Sequence, residues 1–507
     1  MSIATASDFE IAATRPLLRP LISATACVAL ADWLFYGWQI GISLALFFGV
    51  LGAIGVANNH GRATRTIQIV MTAAFAAGLL PLIEDVNILS VIVSALATAL
   101  FVIVITTRQT LSWQRNLLEA VIAPFHGPFQ LAGDLFGALR LMKRQTPEWL
   151  RLGSLIGWIV PLSVFMIFLA LFSSGNPLIE YRLMQIDLRV LFNVLDLQRM
   201  AFWLLVLCAT WPLILRRIRR IPNQAPDSSS TVATEPSDFD YLFGAQAMLR
   251  SLVLFNALFA LQTGLDLVYL WGGATLPDGL SHAEYAHRGA YPLIVTALLA
   301  AGFALIAMRP RGPAEQSRLI RPLVLVWTGQ NILLVVSSIL RLDLYVAAYS
   351  LTYLRLAALI WMGLVAAGLL LLLMLIQIML KKPISWLVTA NAATLALVLY
   401  GYCFLNAPQF IASYNIEHSR ELGGTGPSLD LTYLARLGPQ ALPALEAHIK
   451  QIPALGPIAQ DRRNCRGHIL SLHPADWRGW SFRAWRLERY LSNNPYMPSY
   501  LSKSDKG

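Results

Sequence analysis

Long apolar runs separated by short polar turns set the pattern of this chain. The first, Leu21 to Ala57, breaks at Tyr36-Gly37-Trp38-Gln39 into two stretches, about 18–36 and 40–58. Two more lie at about 66–83 and 86–106, joined by a tight turn at Glu84-Asp85. Further runs fall near 153–172, 199–215, 245–271, 290–308, 322–340, 356–380 and 384–405. A bilayer crossing takes roughly 20 mostly apolar residues in a helix. An open strand edge would strand its backbone polar groups in hydrocarbon, so every span should be helical. The pattern therefore predicts an all-α polytopic membrane protein with about eleven transmembrane helices. Asp8 and Glu10 precede the first bases, and the first apolar run is too long for a signal peptide, so the start reads as a membrane anchor.

Between the runs, the polar segments divide the chain. Residues 1–215 form a first membrane half of six spans, interrupted by the segment 107–152. Within that segment, Ala132, Leu135, Phe136 and Leu139 share one helical face and Arg140, Lys143 and Arg144 follow. This spacing predicts an interfacial amphipathic helix, read first as a connector resting on the headgroups. Residues 216–243 open with Arg216, Arg217, Arg219 and Arg220 and continue as a Ser/Thr/Pro-rich linker expected to be disordered. A second half of five spans covers 244–405, and no repeat relates it to the first. The tail, 406–507, is long enough for a small, mainly helical domain. In it, Leu431, Leu434, Leu437, Ala441, Leu442 and Leu445 predict two short helices around Gly438-Pro439. Later, Trp477, Trp480 and Trp485 alternate with Arg478, Arg483, Arg486 and Arg489. Two readings stand equal there: a contact with the membrane interface or with an anionic lipid or glycan, and a tryptophan core rimmed by solvated arginines.

Composition agrees with lipid as the solvent, at 56 % apolar and 13 % charged residues. The net charge of +11 would suit nucleic acid, but the bases are distributed among apolar spans. With the N-terminus in the cytoplasm, twenty Lys and Arg fall in inside segments and six in the short outside loops. That asymmetry predicts a cytoplasmic N-terminus and, with an odd number of spans, an exported tail in which no nucleic acid is expected. Cys27, Cys208 and Cys403 lie in spans, which leaves Cys465 with no tail partner for a disulfide. No Cys/His cluster has metal spacing, and neither metal nor cofactor is expected.

Candidate chemistry gathers in LDLVYLWGGATLPDGLSHAEYAHRGAYPL, residues 265–293. The four-residue spacing of Glu284 and Arg288 suits a short helix, so this segment is expected to be an ordered cap. Across the outer ends of the spans, Asp32, Glu84, Asp85, Asp266, Glu284, His287, Arg288, Arg341, Asp343 and Arg355 form a candidate outer-leaflet polar cluster. Ionisable groups at such depth cost free energy until they find partners, so a functional cavity and a set of structural pairs compete as readings. The residue-level reading favours pairs: Asp266 is expected within reach of Arg288 or Arg341, and amides such as Asn256, Gln262, Gln330, Asn331 and Asn391 should tie helices together. His287, beside Glu284 and Arg288, reads first as a hydrogen-bonding partner and second as a proton relay.

LIEDVNILS, DYLFGAQAMLRSLVLFNALFALQTGLDLVYLWGG, SHAEYAHRGAYPL and SSILRLDLYVAAYSLTYLRLAALIWMG together resemble an uncharacterised family of bacterial polytopic inner-membrane proteins, known as a domain of unknown function. The resemblance implies a bacterial inner membrane and brings no catalytic residues. A kinase label applied to some such proteins finds no Gly-rich nucleotide loop here. Three functions are open: an envelope sensor, scaffold or assembly factor with a membrane-protein partner, ranked first; a secondary transporter of a small polar or ionic solute; and a transferase acting on a lipid-linked substrate at the outer face. Enzymatic activity is not favoured.

Overall fold

Apolar runs of this length fold so that each helix satisfies its own backbone, and the computed structural model has that form. It describes residues 18–59, 63–107, 113–142, 196–216, 245–272, 318–378, 384–472 and 476–494, with Phe165, Leu299 and Phe303 besides. Among these, every regular element is a helix. Two compact units emerge, Met1–Ile221 with Ala475–Trp485, and Pro222–Pro474 with Arg486–Gly507.

The first unit contains α1 (Leu18–Phe35), α2 (Ile42–Asn59), α3 (Arg65–Glu84), α4 (Ile88–Thr106), α5 (Trp113–Met142) and α6 (Leu197–Ile214). Ala24, Cys27, Ala31 and Leu34 recur at helical spacing on α1 and meet Phe47 and Leu51 of α2, Ala99 and Ile103 of α4, and Val206, Trp211 and Ile214 of α6. The opposite faces stay apolar: Leu46, Ile69, Ile92 and Leu205 are exposed, as a lipid solvent requires. Close approach of α3 and α4 depends on small residues. A Cβ on Gly78 would lie 2.3 Å from that of Ala97, and Ser94 Oγ donates to the Gly78 carbonyl at 2.7 Å. Asn87 starts α4 with a reciprocal capping box, its side chain accepting from Ser90 N while Ser90 Oγ accepts from Asn87 N.

The amphipathic stretch expected at 129–142 belongs to a longer helix beginning at Trp113. It packs against α6. Gly127 meets the Cys208 carbonyl of α6, Gln130 Nε2 donates to the Leu215 carbonyl at 2.6 Å, and Trp211 Nε1 donates to Asp134 Oδ2 at 2.9 Å. Gln130 and Asp134 therefore turn toward protein, whereas Leu118, Val121, Phe125, Phe129 and Phe136 are exposed. Ala132, Leu135 and Phe136 share that outward side, as their spacing predicts.

The second unit contains α7 (Ala245–Asp266), prolonged by a π-helical turn at Leu267–Trp271, then α8 (Ile320–Tyr349), α9 (Tyr353–Ile378) and α10 (Ile384–Phe404). Shorter helices follow: α11 (Ala407–Glu417), α12 (Leu431–Arg436), α13 (Leu442–Ala447), α14 (Leu455–Leu472) and α15 (Phe482–Asn493), the last divided between the units after Trp485. The two short helices expected around Gly438-Pro439 are α12 and α13, and Gly438 takes φ +85° in the turn. Leu434, Leu437, Ala441, Leu442 and Leu445 are buried in one core with Ile411 and Ile416 of α11 and with Val346 and Leu351. At about 1.5 Å per residue, 30-residue α8 measures about 45 Å, longer than a hydrocarbon core of about 30 Å.

Among the described residues, nine helices are long and apolar enough to cross a membrane. They coincide with nine of the expected spans, while 153–172 and 290–308 lie outside the described residues apart from Phe165, Leu299 and Phe303. The linker 217–243 and the whole of 273–293 are outside them as well.

Two glycines of α5 give opposite expectations. A Cβ on Gly127 would sit 1.8 Å from the Cys208 carbonyl oxygen, a backbone atom, whereas one on Gly133 would meet nothing within 4 Å. Gly127→Ala should lower stability by about 1–3 kcal/mol through overpacking. Gly133→Ala should be neutral or raise stability by up to about 1 kcal/mol. Thermal unfolding of both variants in detergent checks this; equal midpoints would show that α5 does not press on α6.

Candidate functional site

An ionisable side chain at the end of a membrane helix must find a counter-charge or reach water. In the first unit, α1, α2, α3, α4 and α6 bring the turns 36–41 and 85–87 and the start of α6 to the same end. There Asp32 accepts from Arg199 Nε at 2.8 Å, Arg199 Nη2 at 2.5 Å and Trp203 Nε1 at 2.8 Å. The Arg199 guanidinium also lies 4.9 Å from the Tyr36 ring and 5.6 Å from that of Trp203. Tyr36 donates its hydroxyl to Asp196, which caps α6 by accepting from Arg199 N at 3.0 Å. That hydrogen bond raises the Tyr36 phenol above its ordinary pKa and lowers the Asp196 carboxyl below its own.

Glu84 and Asp85 close on Arg483, whose Nε lies 3.2 Å from Glu84 Oε1 and whose Nη1 lies 3.3 Å from Asp85 Oδ2. Glu84 and Arg483 are buried. Arg483 belongs to a strap, residues 475–485, that lies on the first unit. Arg478, also buried, places its guanidinium 4.7, 4.4 and 5.4 Å from the rings of Trp33, Trp38 and Trp477 and donates to Asp476 Oδ2 at 2.5 Å. Ile42 N donates to the Trp480 carbonyl at 2.8 Å. This arrangement departs from a tryptophan core with an arginine rim at four of the seven positions: Arg478 and Arg483 are inside and Trp477 and Trp485 are exposed, whereas Trp480 is half-buried and Arg486 and Arg489 are exposed as that reading had them. Where the surroundings are lipid, an arginine gains by facing protein acceptors and an indole loses little by facing out.

In the second unit, Asp266 pairs with Arg341, the two side chains being 1 % and 4 % exposed. Gln262 Nε2 adds a hydrogen bond to Asp266 Oδ1 at 3.1 Å, and Trp271 Nε1, in the π-helical turn, reaches Ser337 Oγ at 3.3 Å. Arg355 serves backbone, not carboxylate. It donates to the carbonyls of Tyr349 and Ser350 and lies over the rings of Tyr345 and Tyr349. Those carbonyls end α8, where Ser350 takes φ +70°, so Arg355 acts as a cationic C-cap. Asn415 of α11 accepts from Leu351 N at 2.6 Å and donates to the Leu351 carbonyl at 2.9 Å. Tyr433 of α12 accepts from Tyr353 N at 3.0 Å, so the α8–α9 turn is held by two of the later helices. Asp343 is exposed.

The ten candidate residues thus separate. Asp32, Glu84 and Asp85 belong to the first unit and Asp266, Arg341, Asp343 and Arg355 to the second, while Glu284, His287 and Arg288 lie outside the described residues. Sequence reasoning missed Arg199, counted there simply as a loop base, and Arg216, counted as part of a basic stop. Arg216 is buried, donating to the Ile103 carbonyl at 2.8 Å, Thr106 Oγ1 at 2.6 Å and Glu119 Oε1 at 2.7 Å. It also missed Glu446, held by Arg463 Nε at 2.5 Å, Arg463 Nη2 at 2.8 Å and the Tyr490 hydroxyl at 2.9 Å. Burial, then Glu446, pushes the Tyr490 phenol up to about 12. Among the described residues no group of three or more His, Cys, Asp or Glu side chains is placed to hold a metal.

Residues 69–448 match the family model described as "Domain of unknown function (DUF4153)". Neither the curated proteins nor the solved structures include a match to the chain.

The Asp266–Arg341 pair gives a direct test of a structural role. Removing one partner of a buried pair leaves the other charge uncompensated, at a cost of about 3–5 kcal/mol. Asp266→Asn should therefore depress the thermal midpoint strongly, and exchanging Asp266 and Arg341 should restore part of the loss. A charge exchange no more stable than the single variant would show that the two side chains are not energetically coupled.

Proposed function

The chain belongs to the DUF4153 family, a family of unknown function, and from that premise we propose that it is an inner-membrane scaffold, sensor or assembly factor of the bacterial envelope. The observation that carries this reading is the use made of the candidate charges. Asp32, Glu84 and Asp266 are each engaged by an arginine from a different helix, Arg199, Arg483 and Arg341. A general base, a metal ligand or a solute-binding carboxylate needs lone pairs open to its target. These carboxylates instead fix helices and the 475–485 strap in place, as a positioning framework requires. The transferase reading ranks last: its candidate catalytic group would be the adjacent acidic pair in an outer turn, Glu84–Asp85, and that pair faces Arg483. Transport of a small polar solute ranks second; buried amides on α7 and α8 favour it over the transferase.

In this proposal the N-terminus and the 216–243 linker are cytoplasmic and the chain after Leu405 is periplasmic. The asymmetry of twenty inside bases against six outside supports that orientation. The exposed tryptophans Trp477 and Trp485 then lie at the outer interface, within reach of headgroups or glycans. Reporter fusions at Pro222 and after Gly507 should report cytoplasmic and exported positions respectively. The same compartment for both would refute the topology.

The scaffold role predicts a lasting protein neighbour. A photoreactive residue at exposed Phe410 or Trp477 should give discrete adducts with an envelope protein in living cells. Absence of adducts at both positions, together with gradient-driven solute uptake by purified protein in liposomes, would replace this reading with the transporter.

A further inference from the structure

Helices α7 and α8 run in the same direction with their polar groups in register. Asn256 Nδ2 donates to the Leu323 carbonyl at 3.2 Å and Gln330 Nε2 to the Asn256 carbonyl at 3.4 Å. Further along, Asp266 meets Arg341. Among the described residues, five polar atoms on these two apolar spans are shut off from solvent without a hydrogen-bonding partner: Asn256 Oδ1, Thr263 Oγ1, Trp327 Nε1, Gln330 Oε1 and Asn331 Oδ1. Trp327 and Asn331 are 3 % and 1 % exposed, so neither finds its partner at the surface.

The amide orientations are fixed. Asn331 Nδ2 donates to the Trp327 carbonyl at 2.7 Å and Asn256 Nδ2 to the Leu252 carbonyl at 2.8 Å, and Gln330 spends its amide nitrogen on Asn256. Turning any of them over would set its oxygen against a carbonyl oxygen, so all three must present acceptors to the seam. Thr263 departs from the habit of its counterpart Thr328, which donates to its own helix at Val324 O, 2.7 Å away. The Trp327 ring packs on Phe255, Phe259 and Phe303 and contributes a donor.

We propose that this seam binds a file of ordered water molecules between α7 and α8, with Asn256, Thr263, Trp327, Gln330 and Asn331 as its ligands. The chemistry selects water over a metal cation. A cation would satisfy the carbonyl oxygens but not the indole N–H, and its charge would be uncompensated where the nearby carboxylate, Asp266, already holds Arg341. Water both donates and accepts, and a buried water makes about three hydrogen bonds to groups of this kind. Asn256, Thr263 and Asp266 follow one another at helical spacing on α7, so the seam leads toward the Asp266–Arg341 pair. This inference is independent of whether the protein is a scaffold or a transporter.

Trp211 is an internal control: it is 1 % exposed in the first unit, and its Nε1 donates to Asp134. The full-length protein in lipid nanodiscs would be exposed to X-ray-generated hydroxyl radicals, which form from bound water, and indole oxidation followed by mass spectrometry. Trp327 should oxidise several-fold faster than Trp211, and Asn331→Leu should bring it down to the Trp211 rate. Gln330→Leu is the second variant should the first not yield folded protein. Equal rates for the two tryptophans, slow or fast, would overturn the proposal, the slow case meaning a dry seam with the N–H resting on its phenylalanine neighbours. Fast Trp327 oxidation that neither variant changes would overturn the assignment of these ligands.

Discussion

A guanidinium inside a bundle of apolar helices is held only as long as acceptors surround it, and this constraint governs where the helices of this protein can go. Arg216 gathers Ile103, Thr106, Thr107 and Glu119 around itself and so fixes the end of α6 against α4 and α5. Asn59 reinforces the same corner by accepting from Arg216 N and donating to the Leu213 carbonyl. Arg199 does the equivalent at the other end of α6 through Asp32 of α1. For buried Arg216 these bonds offset a desolvation cost of several kcal/mol; Arg199 is half-exposed, and its bonds set position more than they repay burial. The gain is one of placement: apolar faces alone allow helices to slide and rotate in lipid, whereas a bonded arginine allows one register.

The same constraint turns the usual distribution of polarity inside out. In α5, Gln130 and Asp134 face protein and the phenylalanines face out. In the 475–485 strap, Arg478 sits among three indoles and Arg483 against two carboxylates, while Trp477 and Trp485 are exposed. Neither segment is among the nine described helices long and apolar enough to cross a membrane, and both leave large apolar side chains exposed. Among the described candidates, Asp32, Glu84, Asp85, Asp266, Arg341 and Arg355 each bond a group on another element or at a helix end. The polar seam between α7 and α8 is different in kind. Its amides bond on one side and leave oxygens facing inward, which suits solvent better than structure.

The sequence by itself determined the solvent of this chain, the helical class, the position of the nine described spans and the turns between them. These follow from local rules: the hydrocarbon thickness sets the length of each run, and the backbone must satisfy itself within it. It also placed Asp266 within reach of Arg288 or Arg341, because depth in the membrane can be counted from the end of each span, and the packed helices pair it with Arg341. The helices α12 and α13 were legible for a similar reason, from apolar spacing interrupted by Gly438 and Pro439. What the tertiary structure decided was partnership across distance. Arg199 meets Asp32 across 167 residues and Arg483 meets Glu84 across 399, and no spacing rule links such positions. The strap is the clearest case. Its alternating tryptophans and arginines predict one buried face and one exposed face, but which is buried depends on whether water or lipid and two distant carboxylates lie alongside, and only the packed chain supplies that.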